Sequence, residues 1–236
     1  MNMLKKKQKK TVRNSFGIKA AIVAGLLLIS ILFVMNIVKE KPQEQITSTS
    51  GEQQLVLGLY PVIDKPAINE PGKVKITEFM SFYCDQCYRF NTIKHQLVNK
   101  YGDALEFKVV PIVWGEQSVK TVEAYILAER HGKGTEMADT IFNAEFNQSR
   151  NISDVNVLSA IGKQVGLGDE FVKNLKSGSA REDAINNIRQ AINYKVNETP
   201  TLIVNGNIVV TPHPTGDDVS AMGKNLDVII QKLLNK

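Results

Sequence analysis

The feature that most constrains this chain is a pair of cysteines two residues apart, placed between an apolar run and a helical pattern. Cys84 and Cys87 are the only cysteines among the 236 residues. The run from Val74 to Phe79 is short, apolar and partly β-branched, which predicts a buried strand. From Asp85 onward, apolar residues recur at roughly helical spacing until Gly102, which predicts a helix beginning beside Cys84. Cys87 should then lie one turn further into that helix.

The predicted helix start indicates the chemistry of the pair. Unpaired N–H groups and the positive end of the helix dipole favour a thiolate at the first cysteine. We therefore expect Cys84 to be acidic and reactive, and Cys87 to be shielded and to react second. A zinc site is disfavoured because it normally needs four ligands, and His95, His131 and His213 do not have zinc-finger spacing. A structural disulfide between cysteines this close in the chain would remove little loop entropy from the unfolded chain and would therefore stabilise the fold little. The pair therefore predicts redox chemistry without a metal or cofactor.

The beginning of the chain predicts a membrane anchor. Six basic and no acidic residues occur in the first thirteen positions, and without them the net charge of +5 becomes −1, which argues against a nucleic-acid-binding surface. Residues 20–38 carry no charge and, as a helix, span roughly 28 Å, which is long enough to cross a membrane. An uncharged run of this length after a basic flank is more typical of a membrane anchor than of a buried core helix. No small-x-small cleavage signature follows, which favours an uncleaved signal anchor over a removed export signal. The basic flank should stay in the cytoplasm, so that the rest of the chain lies outside.

The remaining residues predict an α/β domain interrupted by helices. The expected segments are a cytoplasmic basic segment at 1–19, an anchor at 20–38, a polar linker at 39–54, the first part of the α/β domain at 55–113, a helical insertion at 114–195 and the second part at 196–236. Leu55 to Tyr60 predicts a short leading strand and Leu105 to Val113 a second main strand. The order strand, helix, strand implies a parallel pair with a right-handed crossover.

Helical spacing dominates the insertion, and strand patterns return after it. The predicted helices are Gln117–His131, Thr135–Phe146, Ser153–Val165, Asp169–Leu175 and Ala180–Lys195. Two β runs around Asn205-Gly206 then predict a short hairpin, and a last helix is expected from about Asp217 to Leu234. Pro200 follows Thr199 at the start of the first run, where a cis bond is possible but an ordinary trans proline fits equally well.

These residues resemble the thioredoxin-like thiol oxidoreductases and, within them, the DsbA branch. The resemblance is carried by Glu78-Phe-Met-Ser-Phe-Tyr-Cys84-x-x-Cys87-Tyr, the helical insertion and Thr199-Pro200-x-x-x-Val-Asn-Gly. It implies a thioredoxin-like α/β fold with an inserted helical domain, here preceded by a single transmembrane helix. It also implies a nucleophilic first cysteine, a cis proline at Pro200 that faces the disulfide, and a buried acid at Glu78.

Two further expectations accompany the resemblance. A lysine near Lys108 is expected to pair with the acid at Glu78. DsbA proteins usually carry Pro-His between the cysteines, whereas this chain has Asp85-Gln86. The charge of Asp85 should raise the pKa of the Cys84 thiol and make the disulfide less oxidising. Because Gln86 can donate hydrogen bonds and Asp85 gains from the helix dipole, the net direction stays open.

The predicted function is that of a thiol:disulfide oxidoreductase, which introduces disulfides into exported polypeptides through Cys84 and Cys87. Glu78 could move the Cys87 proton, the alternative being a paired core carboxylate. Thr199 and Pro200 should present backbone to an extended substrate.

The resemblance implies unfolded or reduced exported polypeptides as substrates and a quinone-linked membrane protein as reoxidant. With the anchor, it implies a monomer in the inner membrane whose redox domain faces the periplasm or extracytoplasmic space. A membrane-tethered reductase or isomerase is one alternative. The other, of a different class, is a copper-handling thioredoxin-fold binding protein that uses the dithiol as ligand.

Overall fold

The structure is a computed structural model that describes residues 57–235. The expected basic segment 1–19, the anchor 20–38 and the linker 39–54 lie outside the described residues. Among the helices of residues 57–235, none combines the length and the apolar character needed to cross a membrane.

A four-stranded sheet forms the centre of this part of the chain. Its strands are β1 (Val74–Met80), β2 (Leu105–Pro111), β3 (Thr201–Val204) and β4 (Ile208–Val210). They stand in the order β2-β1-β3-β4. β1 and β2 are parallel, as the strand–helix–strand pattern predicted, and β3 is antiparallel to both of its neighbours. The positive φ angles of Asn205 and Gly206 turn the chain between β3 and β4, which confirms the predicted hairpin.

Seven α-helices surround the sheet in the described residues. They are α1 (Asp85–Tyr101), α2 (Lys120–Glu129), α3 (Gly134–Phe142), α4 (Val155–Gln164), α5 (Asp169–Ser177), α6 (Arg181–Asn193) and α7 (Val219–Leu234). α1 and α7 pack on one face of the sheet through residues such as Phe90 and Leu226. The helices α2 to α6 follow β2 in the chain and enclose a second apolar core, which includes Met80, Phe82 and Cys87. The second cysteine therefore lies where the end of β1 meets this helical core.

The predicted elements differ from the structure in a few places. The leading strand at Leu55–Tyr60 is wrong for its described residues: Gly58 has a φ of +80°, and the only pairing nearby is a single bridge between Val62 and Ile208. β2 ends at Pro111 because β1, its partner, ends opposite it at Met80.

Several helix boundaries also shift; for example, the helix predicted from Gln117 begins at Lys120. The helix predicted to continue to Phe146 stops at Phe142 and is followed by one π-helical turn, Asn143–Asn147. The last helix begins at Val219 because Asp217 has a φ of +59°, outside the helical region, and the carboxylate of Asp218 caps the first turn.

Candidate active site

Cys84 occupies the N-cap position of α1. Its backbone is extended, as is usual for an N-cap residue, and its Sγ accepts a hydrogen bond from the N–H of Cys87 at 3.2 Å. The Cys84 N–H in turn donates to the Ser81 carbonyl at 3.1 Å, which ties the end of β1 to the helix start. Cys84 is half-buried, Cys87 is fully buried and both thiols are free. The predicted placement of both cysteines is confirmed.

The pKa values of the two thiols are shifted in opposite directions. The pKa of Cys84 is lowered from 9.0 to about 6, chiefly because the Cys87 thiol donates a hydrogen bond to its sulfur. Burial of Cys84 opposes this effect, while the Thr199 hydroxyl and the N–H groups of Cys87 and Gln86 add to it. Burial raises the pKa of Cys87 well above 9.0, and the Cys84 thiolate and the Glu78 charge raise it further. At neutral pH the first sulfur is therefore a thiolate and the second a thiol.

The loop before β3 lies against the first cysteine. The bond between Thr199 and Pro200 is cis, which settles the alternative that the sequence pattern left open. Cys84 Sγ lies 3.2 Å from the Thr199 carbonyl oxygen and donates a hydrogen bond to it when Cys84 is protonated. The loop is held in turn by the Thr201 hydroxyl, which donates to the Glu198 carbonyl at 2.8 Å. Residues far apart in the chain thus meet at one sulfur.

Glu78 is buried in β1, but its partner is not the one that the resemblance implied. The Nζ atom of Lys94 in α1 donates to Glu78 Oε2 at 3.2 Å. The expected pairing with Lys108 is wrong, because Lys108 stands level with Thr77 in the β1–β2 register, whereas Val109 stands level with Glu78. Side chains alternate along a strand, so Lys108 and Glu78 point to opposite faces of the sheet. Lys108 is exposed.

Lys94 was missed by the sequence reasoning, although the sequence carries a signal for it. It is four residues after Phe90 and three before Leu97, both buried. These spacings place Lys94 on the apolar face of α1, where a charged residue is unusual and needs a partner. A charged residue on the buried stripe of a helix next to a redox motif is therefore worth noting in such chains.

The dipeptide between the cysteines makes two contacts. The Asp85 carboxylate forms an ion pair with Arg89, one turn along the exposed side of α1. The side-chain amide of Gln86 donates to the Asp217 carbonyl at 3.3 Å, in the loop that precedes α7. The guanidinium beside Asp85 partly offsets the negative charge that the sequence placed next to Cys84.

Aromatic side chains flank the cysteines on the side of α3. Tyr88 follows Cys87 and stacks on Phe146 of the π-helical turn, with ring centroids 4.9 Å apart. The hydroxyl of Tyr83, the residue before Cys84, is 2.9 Å from that of Ser153. Tyr83, Tyr88 and Phe146 are all half-buried and leave apolar surface near the first sulfur. Phe142 is fully buried, as expected for a residue that packs between helices.

Disulfide exchange needs a nucleophile that is already ionised and a partner thiol that stays protected until a mixed disulfide has formed. Cys84 and Cys87 meet both requirements on a sheet with the strand order and helix placement of a thioredoxin-like fold. In residues 57–235, no group of three or more metal-ligating side chains of His, Cys, Asp or Glu comes together. Fold and site together define a protein disulfide oxidoreductase.

Comparison with known proteins agrees with this class. Residues 69–222 match the family model described as Thioredoxin, and the chain belongs to this family. It is 24% identical over 186 residues to the thiol:disulfide interchange protein DsbA of Pseudomonas syringae pv. tomato, covering 78% of this chain and 82% of that protein. The protein of the same name from Burkholderia cepacia is 21% identical over 173 residues, covering 73% and 81% respectively.

A solved structure supports the fold. The crystal structure of Pseudomonas aeruginosa DsbA superposes with a TM-score of 0.61 at 20% identity, covering 73% of this chain and 91% of that one. The predicted thioredoxin-like α/β fold with its additional helices is therefore confirmed.

Proposed function

We propose that this protein introduces disulfides into exported polypeptides, with Cys84 as the nucleophile and Cys87 as the resolving thiol. The observation that carries the proposal is the opposite shift of the pKa values of two neighbouring thiols: that of Cys84 is about 6 and that of Cys87 is well above 9.0. A stabilised Cys84 thiolate stabilises the reduced enzyme, which makes the disulfide a better oxidant. This favours net oxidation of substrates over the reductase or isomerase alternative.

The reaction begins with the Cys84–Cys87 disulfide. A substrate thiolate attacks Cys84 Sγ, a substrate–Cys84 bond forms, and Cys87 leaves with the electron pair of the broken bond and takes up a proton. The second substrate thiolate then attacks the substrate sulfur, closes the substrate disulfide and releases Cys84 as a thiolate. Its low pKa makes Cys84 a good leaving group in this second step. A quinone-linked membrane protein would then accept the two electrons and restore the enzyme disulfide.

We assign to Glu78 the role of exchanging a proton with Cys87. It is buried, with 1% of its surface exposed, and its charge contributes to the raised pKa of Cys87. When Cys87 leaves as a thiolate it needs a proton, and when it attacks during reoxidation it must lose one. A carboxyl group close to the buried sulfur can serve both steps.

The substrate surface that we propose combines backbone and aromatic groups. The Thr199 carbonyl and the buried Pro200 lie beside Cys84 and can pair with an extended polypeptide, as strands pair at a sheet edge. Tyr83 and the stacked Tyr88 offer apolar contacts to side chains that are exposed in an unfolded substrate. Unfolded chains offer both extended backbone and apolar side chains, whereas folded proteins hide them.

The cellular placement that we propose follows from the start of the chain. Residues 20–38 would act as a single-pass signal anchor in the inner membrane, and the polar segment 39–54 would tether the redox domain, as a monomer, on the periplasmic or extracytoplasmic side. Relatives named as thiol:disulfide interchange proteins support an oxidising compartment, since stable protein disulfides form there. Copper handling, the alternative of a different class, is disfavoured because the relatives are named as thiol:disulfide interchange proteins.

The test is disulfide transfer by the full-length protein in detergent. The oxidised protein is mixed with a reduced, unfolded polypeptide that contains two cysteines, and both partners are followed by thiol alkylation. We expect stoichiometric oxidation of the substrate and conversion of the enzyme to the dithiol, with no transfer by Cys84→Ser. Wild-type protein that leaves the substrate reduced under these conditions contradicts the proposal.

A further inference from the structure

We infer that Gln117 is a positioning residue, whose side-chain oxygen holds the loop that brings Cys84 to the start of α1. This role rests on the proposed oxidoreductase function, because it concerns the residue that keeps the reacting sulfur of that function in place. It adds a contact from the loop after β2, which belongs neither to the cysteine motif nor to the cis-proline loop.

Ser81 organises the short loop between β1 and α1, and it is fully buried. Its carbonyl accepts a hydrogen bond from the N–H of Cys84 at 3.1 Å. Its hydroxyl oxygen accepts another from the N–H of Tyr83 at 3.3 Å. Bonds of this kind between a serine side chain and the nearby backbone close turns. The conformation of Ser81 therefore fixes where the chain enters α1 and where Cys84 lies.

The proton of the Ser81 hydroxyl is directed to Gln117. The Oγ atom of Ser81 donates to Gln117 Oε1 at 3.1 Å, and within residues 57–235 this is the only acceptor that the hydroxyl contacts. A hydroxyl has one proton, so its orientation follows its acceptor. With that proton aimed at Gln117, the lone pairs of Oγ stay available to the Tyr83 N–H. Gln117 thus sets the orientation of the hydroxyl that closes the turn before Cys84.

Gln117 is itself held by a closed turn that follows β2. The N–H of Gln117 donates to the Trp114 carbonyl at 3.1 Å, and the Trp114 N–H donates to Gln117 Oε1 at 2.9 Å. Both lone pairs of Oε1 are therefore used, one on each loop. The turn stays close to β1 because the Ile112 N–H donates to the Met80 carbonyl at 2.8 Å. One oxygen atom thus joins the ends of two adjacent parallel strands.

The start of α2 supports the same turn from its other side. The carbonyl of Ser118, the residue after Gln117, accepts from the Thr121 hydroxyl at 3.0 Å. The Ser118 hydroxyl accepts from the N–H of Lys120 at 3.3 Å. A side chain can position another residue only when its own backbone is fixed. Gln117 meets this requirement, since β2 and α2 hold the chain on both sides of it.

The link to the chemistry is the geometry of Cys84 at the helix start. Its Sγ accepts a hydrogen bond from the Cys87 N–H at 3.2 Å, and this bond needs the extended backbone of an N-cap residue. The Cys84 N–H is the group that Ser81 holds. If the loop opens at Ser81, the Cys84 sulfur leaves the helix N–H groups for part of the time. Its thiolate then loses stabilisation.

The contact is lost when residue 117 has no acceptor. The buried Ser81 hydroxyl must then turn to find another partner, which withdraws its oxygen from the Tyr83 N–H. Trp114 is exposed, so water can replace the bond that its N–H loses. The effect of the substitution therefore falls on the turn before Cys84. Gln117 is only half-buried, so an apolar side chain of the same length can fill its place.

The experiment measures the Cys84 thiolate and the redox equilibrium of the full-length protein in detergent. Gln117→Met keeps the length of the side chain but removes the acceptor. Gln96→Met is the matched control, because Gln96 is exposed on α1. Thiolate absorbance against pH gives the Cys84 pKa of each reduced protein, and equilibration with glutathione gives the stability of each disulfide. A packing role alone would leave both quantities unchanged.

We expect Gln117→Met to raise the pKa of Cys84 by at least about half a unit, the scale on which a hydrogen bond near a charge is weakened. The glutathione equilibrium should shift towards the disulfide by roughly threefold, because the reduced form loses thiolate stabilisation. Gln96→Met should match wild type in both measurements. Unchanged values in Gln117→Met, or the same shifts in Gln96→Met, overturn the assignment.

A double variant tests whether Gln117 acts through Ser81. Ser81→Ala removes the hydroxyl that links the two loops, so it should raise the pKa of Cys84 by a similar amount. Ser81→Ala/Gln117→Met should raise it no further than Ser81→Ala, because both changes break one contact. Shifts that add in full contradict the inference. The double variant leaves no Ser81 proton unpaired, so its comparison with Ser81→Ala decides the question even if Gln117→Met does not fold.

Failure of this inference and failure of the proposed function give different results. Wild-type protein that exchanges no disulfide with a reduced polypeptide contradicts the proposed function. Wild-type protein that exchanges disulfides, while Gln117→Met keeps the wild-type Cys84 pKa and glutathione equilibrium, contradicts only the role of Gln117.

Discussion

Replacing Cys87 with alanine should raise the pKa of the Cys84 thiol from about 6 to roughly 7. The Cys87 thiol is the largest cause of the low value, ahead of the Thr199 hydroxyl and the N–H groups of Cys87 and Gln86. The whole lowering, from 9.0 to about 6, corresponds to roughly 4 kcal/mol. A hydrogen bond to a charged group contributes about 1.5 to 3 kcal/mol. Cys84 is only half-buried, so water replaces part of the lost bond, and about one pKa unit remains.

The assay is a pH titration of thiolate absorbance in the reduced full-length protein, checked by the pH dependence of alkylation. Thr199→Val should raise the pKa of Cys84 by less than Cys87→Ala does, because the Thr199 hydroxyl is the weaker cause. Thr199→Ser keeps the hydroxyl and is the matched control, with no change expected. A Cys84 pKa that stays near 6 in Cys87→Ala would show that the helix N-terminus, and not the second thiol, sustains the thiolate. A wild-type value near 9 would refute this account of the site altogether.

Other properties of the protein can be checked in the same way. The Cys84 pKa is lower in the folded than in the unfolded chain, so the reduced protein should gain stability relative to Cys84→Ser as pH rises from about 6 to 9. The expected gain is about 2 kcal/mol after allowance for the partial exposure of Cys84. A difference in the free energy of unfolding in urea that stays constant over this pH range contradicts the prediction. Cys87→Ala should accumulate mixed disulfides with substrates and Cys84→Ala should not, and the reverse pattern on non-reducing gels exchanges the two roles. Replacement of Asp85-Gln86 by Pro-His should lower the Cys84 pKa and make the disulfide more oxidising, since it removes a negative charge beside the thiolate; no change in thiolate titration or glutathione equilibrium means that the dipeptide does not control the potential. Full-length protein should fractionate with membranes through residues 20–38, and a soluble form that begins after residue 38 would rule out the uncleaved anchor.

Several parts of the site could be predicted from local sequence because the physics that forms them is local. A strand pattern followed by an amphipathic stripe places Cys84 at a helix start, and N-cap geometry depends only on the residues around it. Asn205-Gly206 predicts the hairpin because both residues adopt positive φ angles at low cost. The direction of each cysteine's pKa shift could also be expected from their order in the helix, although the largest cause of the low pKa of Cys84 is the Cys87 thiol and not the helix terminus.

Other features required the tertiary structure because they depend on which residues meet across the sheet. Whether Lys94 or Lys108 pairs with Glu78 is decided by the β1–β2 register and the alternation of side chains, and a shift of one residue would reverse the answer.

The sequence by itself determined the redox motif, the strand and helix that carry it, and the identity of the groups available for chemistry, since each depends on neighbours within a few residues. Only the tertiary structure decided that the Thr199 carbonyl lies 3.2 Å from Cys84, that the Thr199–Pro200 bond is cis and that a polar cavity opens beside Lys94. These features arise where segments more than a hundred residues apart, or helices from different parts of the chain, pack together. Local propensity carries no information about such contacts, because their geometry is set by how the whole core is filled.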